Sequence, residues 1–116
     1  MLFKGYMNIQ KSIYYRKPNI TGSNWVLVSI KFGQTLAKGV AVIKIITADN
    51  VDSKLNFDLN QYIEEVIFGV KIANEQYGGD LEVQEIEVIP SDSPSKGQVL
   101  TTAYDIAKYV LMNENQ

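Results

Sequence analysis

Cysteine and histidine are both absent from this sequence. Without cysteine there are no disulfides, thiolate metal sites or cysteine nucleophile, and redox compartment has no direct signature. Without histidine the commonest general base and the commonest transition-metal ligand are missing together. Positive charge is in short supply as well: 11 Lys and Arg against 13 Asp and Glu leave a net charge of -2. Nonspecific nucleic-acid binding draws its affinity from neutralised phosphates and released counterions, so this balance disfavours it, although a local basic patch stays open. Long apolar runs are missing too, and no segment approaches the ~20 apolar residues of a membrane-spanning helix. Met1 to Tyr15 interleaves Lys4, Asn8, Gln10 and Lys11 with its apolar residues, unlike the unbroken apolar stretch of an export leader. The expectation is a cytoplasmic chain that does not enter a membrane.

What is present is ordinary globular material. The chain has 116 residues, 46% hydrophobic and 21% charged, enough for one core and too short for two. It reads as a single domain over residues 1–116, with a core from about 9 to 112, residues 1–8 as an arm or strand extension, and 113–116 as a frayed tail.

Ile9 to Arg16 mixes two tyrosines and two isoleucines with polar residues and stops at Lys17-Pro18, which predicts a first strand followed by a polar turn over Asn19 to Asn24. Trp25 to Phe32 alternates: Val26, Val28, Ile30 and Phe32 share one face, Trp25, Leu27, Ser29 and Lys31 the other. Val40 to Ala48 is rich in valine and isoleucine on both faces, which suits a central third strand. A helix is then expected from Leu59 to Tyr77. Asp58 is its N-cap, Gln61 completes a capping box, Phe57 and Tyr62 form a hydrophobic staple, and Gly78-Gly79 stops it. Leu81 to Ile89 reads as a fourth strand whose alternation changes phase between Val83 and Ile86, the mark of a bulge or an edge. Ser95 and Gln98 repeat the capping-box spacing before a second amphipathic helix marked by Val99, Ala103, Ile106 and Val110. The sum is an α+β, two-layer α/β sandwich of order β-β-β-α-β-α, with two helices on one face of a four-stranded sheet.

That order, with the helix "QYIEEVIFGVKIANEQYGG" and its mid-helix Gly69, the segment "LEVQEIEVIPSDSP" and the final helix "TTAYDIAKYVLMNE", resembles domain IV of elongation factor G-type translational GTPases. That domain belongs to the superfamily named for the second domain of small-subunit ribosomal protein five. The resemblance spans roughly Ile9 to Glu114. It implies that two loops, Arg16 to Asn24 and Ser91 to Lys96, share one end and form a tip that reaches the decoding region of the ribosome. The contacts it implies are Arg16, Lys17, Asn19, Asn24, Ser91, Asp92 and Lys96. Where the family carries several glycines and an arginine in the first loop, this chain has "RKPNITGSNW" with one glycine. Arg16, Lys17 and Lys96 would then gather as a small basic spot, with scattered surface charge as the plainer reading.

No catalytic, cofactor-binding or metal site is expected. Asp49, Asp52 and Asp58 lack the every-second-residue spacing of a calcium loop and read as loop and cap. Ser91, Ser93 and Ser95 beside Asp92 have no base to activate them and read as turn and cap residues. Gly78-Gly79-Asp80 leads into a strand, whereas a phosphate loop leads into a helix. In a two-layer fold one sheet face lacks helices, so some of Trp25, Leu27, Val42 and Ile46 must lie there. They are either isolated exposed residues or a surface for self-association or a protein partner. The leading functional expectation is a non-catalytic binding module acting through protein–protein contact, of the inhibitor, immunity or regulatory-subunit type. A ribosome- or RNA-associated factor comes second and an enzyme last.

Overall fold

The computed structural model describes residues 13–35, 41–46 and 54–113. They form an α+β unit in the order β1 (Tyr14–Thr21), β2 (Asn24–Phe32), β3 (Val42–Ile45), α1 (Leu59–Tyr77), β4 (Val83–Val88) and α2 (Gln98–Asn113). The sheet is mixed, with strand order β1-β2-β4-β3; β1 and β4 lie antiparallel to β2, and β3 runs parallel to β4.

The alternation in β2 sets the core. Val26, Val28, Ile30 and Phe32 are all buried and pack with Val83, Ile86 and Val88 of β4. Both helices cover this one face: Tyr62, Val66, Val70 and Ala73 of α1 and Val99, Ala103, Ile106, Ala107 and Val110 of α2 join the same cluster. Burial of each large aliphatic or aromatic side chain here stabilises the fold by about 1.5–3 kcal/mol before the opposing entropy is counted.

The local signals around α1 hold at both ends. Asp58 Oδ1 accepts from Gln61 N at 3.2 Å, the Phe57 and Tyr62 rings pack at 5.0 Å, and Gly78 turns left-handed at φ 65°. Gln61 does not reach back to complete its box; its amide donates to Glu65 instead. At α2 the box partner does reach back, with Ser95 N donating to Gln98 Oε1 at 2.9 Å. Helix α2 also continues to Asn113, the first residue expected to fray.

The strands differ more from expectation. Strand β1 does not stop at Pro18 but continues through it to Thr21, leaving only Gly22 and Ser23 as the turn. Proline is tolerated because β1 is an edge strand among the described residues, where a missing N–H breaks no inner ladder. The part of the expected first strand before residue 13 lies outside the described residues, as do residues 1–8, Val40, Thr47 and Ala48. Among the described residues β3 is an edge strand rather than a central one, because the parallel β3-α1-β4 unit inserts β4 between β2 and β3. The phase change in β4 is a bulge and not an edge: Phe32 pairs with Val83 and Lys31 with Glu85, which leaves Gln84 between them.

Candidate functional site

The face of the sheet opposite the helices is built in rows by the strand register. Tyr14 pairs with Lys31, which pairs with Glu85, which pairs with Val42. The next row runs Arg16, Ser29, Glu87, Lys44. Beyond it Pro18 pairs with Leu27, and at the hairpin end Ile20 pairs with Trp25. Ile46 shares the phase of Val42 and Lys44 at the margin of β3, with its N–H donating to Val88 O at 2.9 Å.

The first two rows are polar and bonded to one another. Arg16 Nη2 pairs with Glu87 Oε1 at 2.8 Å across the row that holds Ser29, which is 3% exposed. Lys44 Nζ lies 3.0 Å from Glu85 Oε1 and Lys31 Nζ 3.8 Å from Glu85 Oε2. Tyr14 O–H donates to Glu85, and the Arg16 guanidinium sits 5.1 Å from the centre of the Tyr14 ring. The remaining rows are apolar and open to solvent: Ile20 is 77% exposed, Trp25 46% and Ile46 45%. The face is thus divided lengthwise along the strands, with an ion-paired polar lattice of three cations and two carboxylates at one end and an apolar patch at the other.

Of the residues read from the sequence, Trp25, Leu27 and Ile46 belong to the apolar end, while Val42 lies beside Glu85 in the polar end. The pattern alone gave no sign of Ile20, because it was placed in a turn; recognising Pro18 as an edge-strand residue would have put Ile20 in phase with Arg16.

The tip residues have a different fate. Gly22–Ser23 and Ser91–Lys96 do share one end, joined by paired backbone bonds between Trp25 and Ser93 and by Asn24 Nδ2 donating to Ser93 O at 3.0 Å. Three of the seven expected contacts, Asn19, Asn24 and Asp92, are turned inward, and Arg16, Lys17, Ser91 and Lys96 are exposed. Asn19 Nδ2 donates to Thr102 Oγ1 at 2.9 Å, and Asn19 Oδ1 accepts from the buried Gln98 Nε2 at 3.0 Å. Asp92 is 5% exposed, and its Oδ2 accepts from Leu27 N at 3.0 Å, taking over from β4 where that strand leaves the sheet. Arg16 and Lys17 do not gather with Lys96 as one basic spot. Strand periodicity sends them to opposite faces, Arg16 to Glu87 and Lys17 to the helix side beside Asp105 and Tyr109. Lys96 is exposed, and the Ser91 carbonyl meets Asn56 Nδ2 at 3.5 Å. Asp58 serves as the α1 cap; Asp49 and Asp52 lie outside the described residues. Glu65 accepts from Gly97 N at 3.2 Å and Leu100 N at 3.0 Å, so α1 supplies the anion at the start of α2.

Two carboxylates titrate in opposite senses. Glu85 is held below the usual carboxylate range, foremost by the Tyr14 hydrogen bond and then by Lys44 and Lys31 against partial burial. Its stabilisation is present above that range and lost as pH falls through its folded value. Asp92 is pushed up by burial, partly countered by the Leu27 N–H, so its contribution is present at low pH and lost as pH rises through its folded value. In urea unfolding, Asp92→Asn is expected to gain stability over the parent at pH 7 and nothing at pH 3, whereas Glu85→Gln loses stability at pH 7 and flattens the acid limb.

No family model, curated protein or solved structure matches this chain.

Proposed function

We propose that this chain is a non-catalytic binding module that acts through protein–protein contact, and that the apolar end of the sheet face opposite the two described helices is the contact surface. The observation that carries this reading is the cross-strand pair Ile20–Trp25, two large apolar side chains 77% and 46% exposed beside Pro18 and Leu27. Exposed aromatic and aliphatic groups gathered on one rigid face are what interface centres are made of, and the strands hold them at no further ordering cost. The polar end supports the same reading. Each of its charges is paired within the face, with one cation in excess, which suits the polar rim of an interface.

The test is photo-crosslinking in cells that make the chain, with the crosslinking amino acid at position 20 or, as control, at the exposed Phe68 on the helix layer. A protein captured from position 20 and not from position 68 is then purified and titrated. Ile20→Glu is expected to weaken its binding at least tenfold, and an unchanged affinity removes the sheet face as the surface.

The resemblance to the translation-factor domain supports a second reading, a ribosome- or RNA-associated factor working through the end where Gly22–Ser23 and Ser91–Lys96 meet. It ranks lower because Asn19, Asn24 and Asp92 are committed to internal bonds there. Salt-sensitive binding lost on Lys96→Glu would favour it.

A further inference from the structure

We infer that residues 91–94 form a pH-sensitive latch on the hairpin end of β2, shut while the Asp92 carboxyl is protonated and loosened once it is charged. The latch is a property of the free chain and does not depend on the binding reading above.

The ladder between β2 and β4 ends at the Ser29–Glu87 pair, so Trp25 and Leu27 lie beyond the reach of β4. Residues 92 and 93 stand in for it. Ser93 exchanges two backbone bonds with Trp25, at 3.0 and 3.3 Å, and Asp92 Oδ2 accepts from Leu27 N at 3.0 Å. On either side the chain is anchored to other elements: Asn56 N donates to Pro90 O at 3.0 Å, and Ser95 N to Gln98 Oε1 at 2.9 Å. A cleft of about 250 Å3 between the start of α1 and residues 94–96 leaves the piece between these anchors room to move off β2.

The carboxyl group makes this short bridge sensitive to pH. Asp92 is 5% exposed, and the donor it meets among the described residues is the Leu27 N–H. No cation pairs with it there. The titratable groups on the elements around it are Tyr62, Asp58 and Glu65 at α1 and Lys96 in its own connection. Tyr62 keeps its proton, pushed up by burial and then by the Asp92 charge. Asp58 and Glu65 are engaged as the caps of α1 and α2. Lys96 is exposed and enters no ion pair among the described residues. A charge buried with one donor and no counter-ion is costly, and opening to water relieves that cost. Burial pushes Asp92 up for the same reason, against the Leu27 N–H. The closed form is therefore favoured at low pH and loses ground as pH rises through the folded value.

Opening frees both backbone groups of Trp25 from Ser93, so the end of β2 that carries the exposed indole loses its support on one side. This effect on the contact surface rests on the reading above, whereas the latch itself is tested without a partner.

The test is amide hydrogen exchange of the full chain by NMR from about pH 4 to about pH 8, expressed as protection relative to the free-peptide rate at each pH. Protection of Leu27 and Ser93 is expected to fall severalfold as pH rises and to level off above the pH at which the 13C shift of the Asp92 carboxyl titrates. Both amides should exchange at least tenfold faster than that of Val70 in α1, which places the opening below global unfolding. In Asp92→Asn, whose amide oxygen can still accept from Leu27 N, protection should stay at the parent's low-pH value throughout. Level protection in the parent, a fall that does not track the Asp92 titration, or exchange no faster than Val70 overturns the latch. So does a fall that persists in Asp92→Asn. The binding reading fails separately, on a partner affinity unchanged by Ile20→Glu, and that result leaves the latch standing.

Discussion

Gly69→Val is expected to destabilise the fold by about 3 kcal/mol or more, and Gly69→Ala by somewhat less. A Cβ at position 69 would stand 2.5 Å from the Leu100 carbonyl oxygen, 3.0 Å from Tyr104 N and 3.2 Å from Ala103 Cβ. The first two are backbone atoms of α2, so relief requires moving a helix rather than rotating a side chain. Ordinary helix propensity predicts the reverse sign, since alanine inside a helix is favoured over glycine by roughly 0.5–1 kcal/mol. Urea unfolding of the alanine variant decides which effect wins. A gain in stability would mean that the two helices do not approach as closely as described. The glycine is thus the point at which α1 and α2 come together, and it explains why a costly residue sits in mid-helix.

Phe32→Ala carries the largest expected loss, about 3–5 kcal/mol. Phe32 has no exposed surface, ends the core-facing row of β2, and packs against the Tyr15 ring at 6.0 Å. It also lies where β4 bulges, pairing with Val83 past the extra Gln84, so its removal leaves a cavity beneath an irregular ladder. A domain of this size has a total stability of roughly 5–15 kcal/mol, and the variant stands near the limit of remaining folded. The expected observation is a fall in the urea midpoint by roughly 1–4 M. A shift under 0.5 M would show that this end of the core is not packed.

How much of this was legible depended on whether the signal was local. The bounds of α1 were readable because Asp58 and Gly78 act on their own neighbours through one hydrogen bond and one positive φ. The inward face of β2 was readable because period two needs no knowledge of partners. The bulge in β4 showed as a phase change in the apolar pattern. What was hidden depended on neighbours distant in sequence. Pro18 reads as a stop unless the strand is known to lie at an edge, and missing that also hid Ile20. The apolar content of β3 suggested a centre, whereas the centre went to β4 with its two glutamates facing the open side. Those glutamates are accommodated because β1, β2 and β3 each bring a cation to them. Gln98 was legible as a cap partner and Asn19 as a loop residue, but only the packing of α1, β1 and α2 brings Asn19 to Gln98 and Thr102 and Glu65 to the start of α2.

The most direct test of the central claim uses Trp25 as its own reporter. In the free chain Trp25 is 46% exposed and should be readily quenched by iodide. With the chain bound to the protein captured from position 20, quenching should fall severalfold. Undiminished quenching in the bound state would contradict the assignment of this face as the contact surface.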